Sequence, residues 1–437
     1  MAGALATNPL WLFGFQFFDP LDIAAAARID GADTVLSLDR NEDQIKFVDS
    51  EVEKDAKSAW KYFQMWNAGS QTIIPGTAYI SDGKLLGYPL VTMWDVGSFV
   101  LAYCSAYLLG LITDSDLNNK TAQIISLLHH HTMTYGGSKL PQIEISSTIF
   151  PSKRSGFDAS DVSRLLIALK ILDNLTLGKS KISTLVSTWD FSPVIKNRMV
   201  SSVKDGKIEP SHETSYTGYT ARGYQLWGYG AKFETRQNSS MSREQKIAFI
   251  KSLALKGRIA TEPNTNEVIE LGETETLRLT LDILLAAQIK RFKSLGALTC
   301  VSEGILDQEP WFTYQACQLD LSGEDQWVVD TVNSETSVVA RRKGDVLRAI
   351  STKGCFMWHA VRPGAYSSAL LHCARTKANT GKIGFASGIY ETNLKAMTCS
   401  DINTNAAILE SLAYLHFDRQ PLLTVSQLIR DKATKRN

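Results

Sequence analysis

Two kinds of helical segment alternate along the chain, and this alternation limits the folds open to it. Residues 94–110 are apolar on nearly every side, so a helix there should be buried on all faces. Residues 115–131 repeat apolar side chains only at three- and four-residue steps, which leaves one wet face. Roughly a dozen helical segments follow one another. The pattern predicts an all-α fold of two layers, an (α/α)6 toroid with a few short β-strands in loops. An open bundle or solenoid is the alternative.

Four other segments are interpreted by their residue types. Stretches at about 257–273 and 340–360 hold many β-branched residues and are predicted to contribute short strands. Residues 311–319 and 323–332 are predicted as helices. These assignments keep the fold predominantly helical.

The chain is predicted to form one domain. No Pro- or Ser-rich linker divides it, so residues 49–437 are assigned to a single toroid and residues 1–48 to an arm packed on it. The apolar run 9–18 is too short to span a bilayer and follows no basic stretch, so we expect no membrane span. The expected location is periplasmic or extracellular if an export segment was removed, and otherwise cytoplasmic.

Composition narrows the class of function. The chain has 46 basic and 45 acidic residues, so its net charge of +1 gives no reason to expect a nucleic-acid partner. No Gly-x-Gly-x-x-Gly, Gly-x-x-x-x-Gly-Lys-Ser/Thr or Gly-x-Ser-x-Gly motif occurs, and no cofactor is expected. The triplet His129–His131 has no partner at metal-ligand spacing, so no metal is expected. The six cysteines include no Cys-x-x-Cys pair; buried thiols are favoured, with a disulfide among the last five left open.

Asp95 stands in the stretch GYPLVTMWDVGSFV, directly before the most apolar helix. One interpretation is an N-terminal cap, in which the carboxylate accepts backbone N–H groups. The other places Asp95 in a funnel where a toroid gathers the starts of its inner helices. Trp94 and Met93 favour the second, because a carboxyl group beside an indole in a sheltered pocket acquires the raised pKa of a general acid.

A similar arrangement recurs in SGFDASDVSRLL. Asp158 is the natural N-cap of the next apolar helix. Asp161 and Arg164 are three residues apart, so they either form a plain surface ion pair or place Asp161 in the funnel with Arg164 holding its geometry. Both alternatives stay open.

Residues 300–315, CVSEGILDQEPWFTYQ, combine a carboxylate with aromatic rings. Glu303 precedes Gly304, and Trp311, Phe312 and Tyr314 follow within a few residues. Such rings offer flat stacking surfaces of the kind that carbohydrate sites use, although a solvated loop glutamate remains an equal alternative.

The segment 384–414 carries a second group of polar candidates. Tyr390 and Glu391 are predicted at the exposed tip of a glycine-containing loop. The run DINTNAA precedes an apolar helix; capping explains one of Asn403, Thr404 and Asn405, and the extra amides suit recognition of hydroxyl groups.

Six segments in this order resemble a bacterial family, domain of unknown function 3131, which is related to glucoamylase-like domains. They are AWKYF, TMWDVGS, DASDVSRLLIALKIL, YTARGYQLWG, VSEGILDQEPWFTYQ and GIYETN…TNAAILESLAY, and they extend over residues about 50–416. The resemblance implies an (α/α)6 toroid of the six-hairpin glycosidase group and a role on cell-envelope or extracellular glucans. The chain departs from the family at Ser163, where a glycine is typical, and at Thr217 and Gly218, where an acidic residue is frequent.

These observations predict a glycoside hydrolase or transglycosidase acting on a glucan-type oligo- or polysaccharide. Asp95 is expected to be one catalytic carboxylate, with Glu303 or Glu391 opposite it and Asp161 as a further acid of the site. The residues predicted to bind substrate are Trp94, Trp311, Tyr314, Tyr390, Asn403, Asn405 and Arg164. A non-catalytic glycan-binding or scaffolding protein is the alternative. A polysaccharide lyase would need a more basic cleft.

Overall fold

The computed structural model describes residues 50–66, 72–81, 83–148, 154–178, 181–209, 214–231, 241–245, 247–248, 250, 258–318, 326–330 and 347–436. The predicted N-terminal arm, residues 1–48, lies outside the described residues, and the part of the chain from Ser50 onward carries the fold.

Helices dominate the described residues, in agreement with the sequence pattern. In chain order they are α1 (Ser50–Met65), α2 (Met93–Leu108), α3 (Asp114–His130), α4 (Ala159–Leu175), α5 (Ile182–Ser187), α6 (Thr217–Gln225), α7 (Thr261–Leu271), α8 (Glu275–Leu295), α9 (Thr352–Val361), α10 (Ala365–Cys373), α11 (Ile402–His416) and α12 (Leu422–Arg436). A π-helix, Ala374–Ala378, continues α10.

The strands are short and lie in the connections. They are β1 (Thr77–Ser81), β2 (Lys84–Tyr88), β3 (Leu90–Thr92), β4 (Thr132–Tyr135), β5 (Ser138–Pro141), β6 (Glu144–Ser146), β7 (Gly156–Phe157), β8 (Ile195–Lys196), β9 (Met199–Val200), β10 (Val203–Lys204), β11 (Lys207–Ile208), β12 (Glu303–Ile305), β13 (Phe312–Gln318), β14 (Gln326–Asp330), β15 (Ala349–Ser351), β16 (Gly388–Tyr390) and β17 (Cys399–Asp401). All their pairings are antiparallel, and the sheets β17-β1-β2 and β12-β13-β14 stand above the helices.

Six largely buried helices form the inner layer. Each contacts the next in the order α2, α4, α6, α7, α9 and α11, and α11 contacts α2, so the six make a ring. The outer helices cover it: α1 packs on α11, α5 and α12 on α4, α8 on α7, and α10 on α9. This arrangement confirms the predicted (α/α)6 toroid, in which an apolar helix is buried only if neighbours stand on every side.

Small residues allow the inner helices to approach closely. A Cβ atom on Gly97 of α2 would stand 2.9 Å from the backbone nitrogen of Leu165 in α4. On the other side of α4, Ser163 donates hydrogen bonds to the carbonyls of Tyr219 and Thr220, and it faces Gly223 of α6. The serine that departs from the family pattern is therefore accommodated by a glycine on the neighbouring helix.

Three local predictions are wrong, and a fourth is confirmed in part. Within 311–319 and 323–332, the described residues Phe312–Gln318 and Gln326–Asp330 are strands β13 and β14 rather than helices, because their aromatic and β-branched residues pair across a hairpin. Helix α7 occupies Thr261–Leu271 of the stretch 257–273, where strands are predicted. In the stretch 340–360, the described residues contain the predicted short strand, β15, followed by helix α9. Both helices are buried on nearly every side, so tertiary packing outweighs the weak strand preference of their β-branched residues.

Within the described residues, no helix is both long enough and apolar enough to cross a bilayer. All six cysteines are free thiols, five of them buried.

Candidate active site

A cleft of about 1260 Å³ opens at the end of the ring where inner helices begin. Its walls come from the starts of α2, α4, α6 and α11 and from the strands that precede them or stand above them. Among the candidates predicted from the sequence, seven line it: Asp95, Asp161, Glu303, Trp94, Trp311, Tyr314 and Asn403. The toroid thus brings together acids that are far apart in the chain.

Asp95 is both a cap and a cleft residue. Its Oδ2 accepts the backbone N–H of Thr92 at 2.8 Å, and Thr92 Oγ1 accepts the N–H of Asp95, which makes a capping box at the start of α2. Its Oδ1 accepts a hydrogen bond of 2.7 Å from Asn403 Nδ2 at the start of α11. Burial raises the pKa of Asp95 to about 6 despite these hydrogen bonds, which lower it.

A second capping box shows what the cleft adds. Thr113 and Asp116 repeat the same bonds at the start of α3, with a Thr113 N–H to Asp116 distance of 2.9 Å. Asp116 is exposed, and hydrogen bonds from Thr113 lower its pKa. The opposite direction at Asp95 follows from burial, because burial disfavours the charged carboxylate.

Glu303 lies on β12 and lines the same cleft as Asp95. Its Oε2 accepts a hydrogen bond of 2.6 Å from the hydroxyl of Tyr216, which precedes α6. Burial raises the pKa of Glu303 to about 7; the charges of Glu262 and Asp95 raise it further, while Lys353 and the Tyr216 hydrogen bond oppose the shift. A carboxylic acid of this pKa is partly protonated at neutral pH.

The ion pair of Lys353 and Glu262 lies beneath Glu303. Both side chains are buried, and each belongs to the start of an inner helix, α9 and α7 respectively. Burial alone would lower the pKa of Lys353, but the charges of Glu262, Glu303 and Asp401 raise it, so the lysine stays charged. The charge of Lys353 therefore acts on Glu303, although neither Lys353 nor Glu262 lines the cleft.

Asp161 is the third acid of the cleft. Asp158 is the N-cap of α4 and accepts the N–H groups of Ser160 and Asp161, as predicted. Burial raises the pKa of Asp161 well above its usual range, and the charges of Asp158, Asp95 and Glu303 act in the same direction. This mutual influence places Asp95, Asp161 and Glu303 in one electrostatic environment.

Aromatic side chains line the cleft on several sides. Trp94 is almost fully buried and packs edge-on against Tyr216, with ring centroids 5.6 Å apart. Tyr314 faces Glu303 across the β12–β13 ladder. Trp311 lies at the turn of that hairpin, edge-on to Tyr79 of β1 at 6.4 Å.

Arg164 does not reach the cleft, and the predicted pairing with Asp161 is wrong. Its guanidinium is fully buried inside the ring, where it binds the carboxylates of Glu270 in α7 and Glu410 in α11. It also stacks on Trp94, 5.0 Å from the ring centroid. Arg164 lies about one turn further along α4 than Asp161, so its guanidinium supports the cleft residue Trp94 and does not itself line the cleft.

Three other candidates also lie outside the cleft lining. Glu391 forms a two-pronged ion pair with Arg291 of α8. Tyr390 donates a hydrogen bond of 2.6 Å to Asp307. Asn405 is buried, and its amide bonds the backbone of Phe385 and neighbouring groups of its own helix start. All three stabilise loops, and none stands beside Asp95 or Glu303.

Several residues of the site are not predicted from the sequence. Tyr216 lies three residues before the family-like segment YTARGYQLWG, which begins at Tyr219. Glu262 and Lys353 lay in stretches predicted as strands and carried no motif. Asp307, which lines the cleft and binds the backbone N–H of Thr398, follows Glu303 by four residues and was the most accessible of these to sequence reasoning.

The charge of the cleft is strongly unbalanced. Eight acidic residues line it, namely Asp95, Glu144, Asp158, Asp161, Glu209, Glu303, Asp307 and Asp401, against two arginines, Arg154 and Arg198. Thr217, one of the positions at which the chain departs from the family it resembles, also lines the cleft.

Within the described residues, no group of three or more His, Cys, Asp or Glu side chains has the geometry to hold a metal ion.

Solved structures share this fold. An endo-β-1,2-glucanase from Chitinophaga pinensis, solved in complex with sophorotriose and glucose, is 13% identical in sequence, with a TM-score of 0.55 over 88% of this chain and 98% of that one. Candidate glucoamylases from Bacteroides fragilis (10% identity, TM-score 0.54) and Bacteroides uniformis (12%, 0.53) match 89% and 88% of this chain, respectively, and 98% of their own. At these identities, the likeness shows that the fold is that of six-hairpin glycosidases.

No curated protein matches the chain in sequence. Residues 54–418 match the family DUF3131, described as a protein of unknown function. Because this match covers most of the chain, the protein belongs to the DUF3131 family.

Proposed function

We propose that the protein is a glycoside hydrolase or transglycosidase that acts on a neutral glucan-type oligo- or polysaccharide. One observation carries the proposal: Asp95, Asp161 and Glu303 come from separate elements and line a single aromatic cleft. Cleavage of a glycosidic bond requires two carboxyl groups in different protonation states on either side of the bond. Asp95 and Glu303 line one cleft, and the charge of Asp95 raises the pKa of Glu303, which supports such a pair.

Glu303 is proposed as the general acid. Its pKa of about 7 leaves a substantial protonated fraction at neutral pH, and its proton would pass to the oxygen of the leaving sugar. Tyr216 holds the carboxyl group in place through its hydroxyl.

Asp95 is proposed as the partner carboxylate. With a pKa of about 6 it is mainly ionised at neutral pH, and hydrogen bonds from Thr92 and Asn403 orient it. It would either activate a water molecule or attack the anomeric carbon. Asp161, whose pKa is raised well above its usual range, would donate a hydrogen bond to a substrate hydroxyl.

The charge of the cleft favours a neutral substrate. With eight acids and two arginines in the lining, a uronate or phosphorylated glycan would be repelled, which disfavours a polysaccharide lyase. The likeness to an endo-β-1,2-glucanase supports a glucan and makes β-1,2-glucan the first substrate to test.

The test is incubation of the purified protein with linear β-1,2-, β-1,3-, β-1,4- and α-1,4-glucan oligosaccharides, with products separated by chromatography. We expect shorter or transferred oligosaccharides from at least one glucan and no products from polyuronates. Binding of a glucan without turnover would contradict catalysis and indicate a glycan-binding protein.

The plot of kcat/KM against pH should have a narrow bell shape. Below about pH 6 Asp95 becomes protonated and loses its role as base or nucleophile; above about pH 7 Glu303 loses the proton it must donate. We expect kcat/KM to peak between these values and to fall about tenfold for each further pH unit on either side. The measurement is initial rates from pH 4 to 9, with melting temperature as the stability control. A rate still rising above pH 8 would contradict this assignment.

A further inference from the structure

In the part of the chain that the structure describes, the exposed aromatic side chains are confined to the cleft. Within the described residues, the large aromatic side chains that remain exposed are Tyr88, Trp311 and Tyr314, and all three line the cleft. Isolated apolar residues on a surface need no explanation, but clustering at the rim of a cleft marks a binding surface.

Trp311 is held in an unfavourable conformation. Its side chain is 52% exposed and its backbone has a φ of 68°, in the left-handed region that bulky residues avoid. Two backbone hydrogen bonds, from Trp311 N–H to Gln308 and from Leu306 N–H to Trp311, keep it there. A strained backbone presenting an indole to solvent adds nothing to folding, which suggests that a ligand uses the ring.

The register of the hairpin gives the position of Trp311 relative to the acid. Glu303 pairs with Tyr314, and Ile305 pairs with Phe312, so these four side chains share one face. Two residues along a strand span about 7 Å, and Trp311 lies one residue further, roughly 10 Å from Glu303. That distance exceeds the width of one hexose ring, so a sugar unit stacked on Trp311 is not the unit being cleaved.

The neighbouring hairpin extends the same surface. Tyr79 pairs with Leu86, and Thr77 pairs with Tyr88, so Tyr79, Leu86 and Tyr88 share a face, and all three line the cleft. The ring of Tyr79 stands perpendicular to Trp311, which buttresses the indole from one side. Together Tyr79, Leu86, Tyr88 and Trp311 form a continuous apolar wall, here called the rim wall.

We propose that the rim wall binds glucosyl units distant from the cleavage point, with Trp311 as the main stacking surface, so that the protein requires a glucan chain long enough to reach from Glu303 to Trp311. This inference rests on the proposed action on glucans and adds a requirement for chain length. The occupant is a neutral glucan chain, because the wall is continuous with the acidic cleft and because apolar sugar faces stack on indole rings.

The test compares Trp311→Ala, Trp311→Phe and wild type on linear β-1,2-, β-1,3- and β-1,4-glucans, each as a disaccharide, a trisaccharide and a long oligosaccharide. Both kcat/KM and, by calorimetry, Kd are measured. In Trp311→Ala, loss of the indole contact should weaken binding and lower kcat/KM about tenfold for long chains, and it should leave both values unchanged for the disaccharide. Trp311→Phe should largely restore binding and kcat/KM for long chains. Leu295→Ala is the matched control, since Leu295 is 65% exposed on α8 and lies outside the cleft lining.

The outcomes separate this inference from the proposed catalysis. If wild type binds long chains without turnover and Trp311→Ala weakens that binding, the rim wall stands while catalysis fails. Alternatively, wild type cleaves glucans and Trp311→Ala changes kcat/KM equally for short and long chains, or changes it for none of them. Either result overturns the role of the rim wall and leaves the proposed catalysis standing. Absence of binding to every long glucan by wild type overturns both.

Discussion

Replacing Glu303 with Gln should lower turnover of the responsive glucan by about a thousandfold, the loss expected when a general acid is removed. The amide keeps the shape of the side chain and can still accept the Tyr216 hydrogen bond, but it has no proton to give to the leaving oxygen. Removing a carboxyl group that is partly buried should leave the melting temperature unchanged or slightly raised. Steady-state rates and a thermal melt measure the two effects.

Two controls identify the role of Glu303. Glu309→Gln changes an exposed glutamate in the turn of the same hairpin and should leave kcat and KM unchanged. An aryl glucoside with a good leaving group needs no protonation, so Glu303→Gln should retain most of its activity on that substrate. Equal losses on the aryl glucoside and the natural linkage would remove Glu303 from the role of acid.

Asp95→Asn should lower turnover by about a hundredfold to ten-thousandfold, because an amide can neither accept a proton from water nor attack the anomeric carbon. The substitution weakens the capping box with Thr92 but also removes a carboxylate whose charge burial disfavours, so these effects oppose each other and the net change in stability should be about 1 kcal/mol or less. Steady-state rates and chemical denaturation measure these effects.

Asp116→Asn separates capping from catalysis. The Thr113–Asp116 capping box has the same two hydrogen bonds as the Thr92–Asp95 box, and Asp116 is exposed outside the cleft. Asp116→Asn should therefore show the effect of a weakened cap alone, a loss of about 1 kcal/mol or less, and leave turnover intact. If Asp95→Asn turns over glucan at the wild-type rate, Asp95 is only a cap, and the proposed carboxylate pair is wrong.

Much of the helical layer was predictable from local pattern. The segment that became α2 is apolar on nearly every side, and the segment that became α4 is rich in apolar residues; a ring of neighbouring helices buries both. The positions of Asp95 and Asp161, one turn into those helices, then followed from toroid geometry. The aromatic cluster near Glu303 was also visible in the sequence. Its predicted secondary structure was wrong, because Trp311, Phe312 and Tyr314 suit a strand as well as a helix.

Other parts of the site had no local signal. Glu262 and Lys353 are 91 positions apart, and only the meeting of α7 and α9 makes them a buried ion pair beneath Glu303. Glu391 is of a residue type that is common in active sites, yet it forms a structural ion pair with Arg291 of α8. Such partners depend on contacts between distant elements, which residue type and spacing do not encode.

Local chemistry therefore accounts for the layers of this protein: periodic apolar side chains require burial, and capping residues mark where each inner helix begins. Whether an acid at such a start serves a cleft or only a salt bridge was decided by the tertiary structure. Asp161 and Arg164 illustrate this, because they are three residues apart, yet Asp161 lies at the start of α4 in the cleft and Arg164, about one turn further along, binds Glu270 and Glu410 inside the ring. The tertiary structure also sets the protonation states of Asp95 and Glu303, because burial among neighbouring charges raises the pKa of both, an effect that residue type alone does not predict.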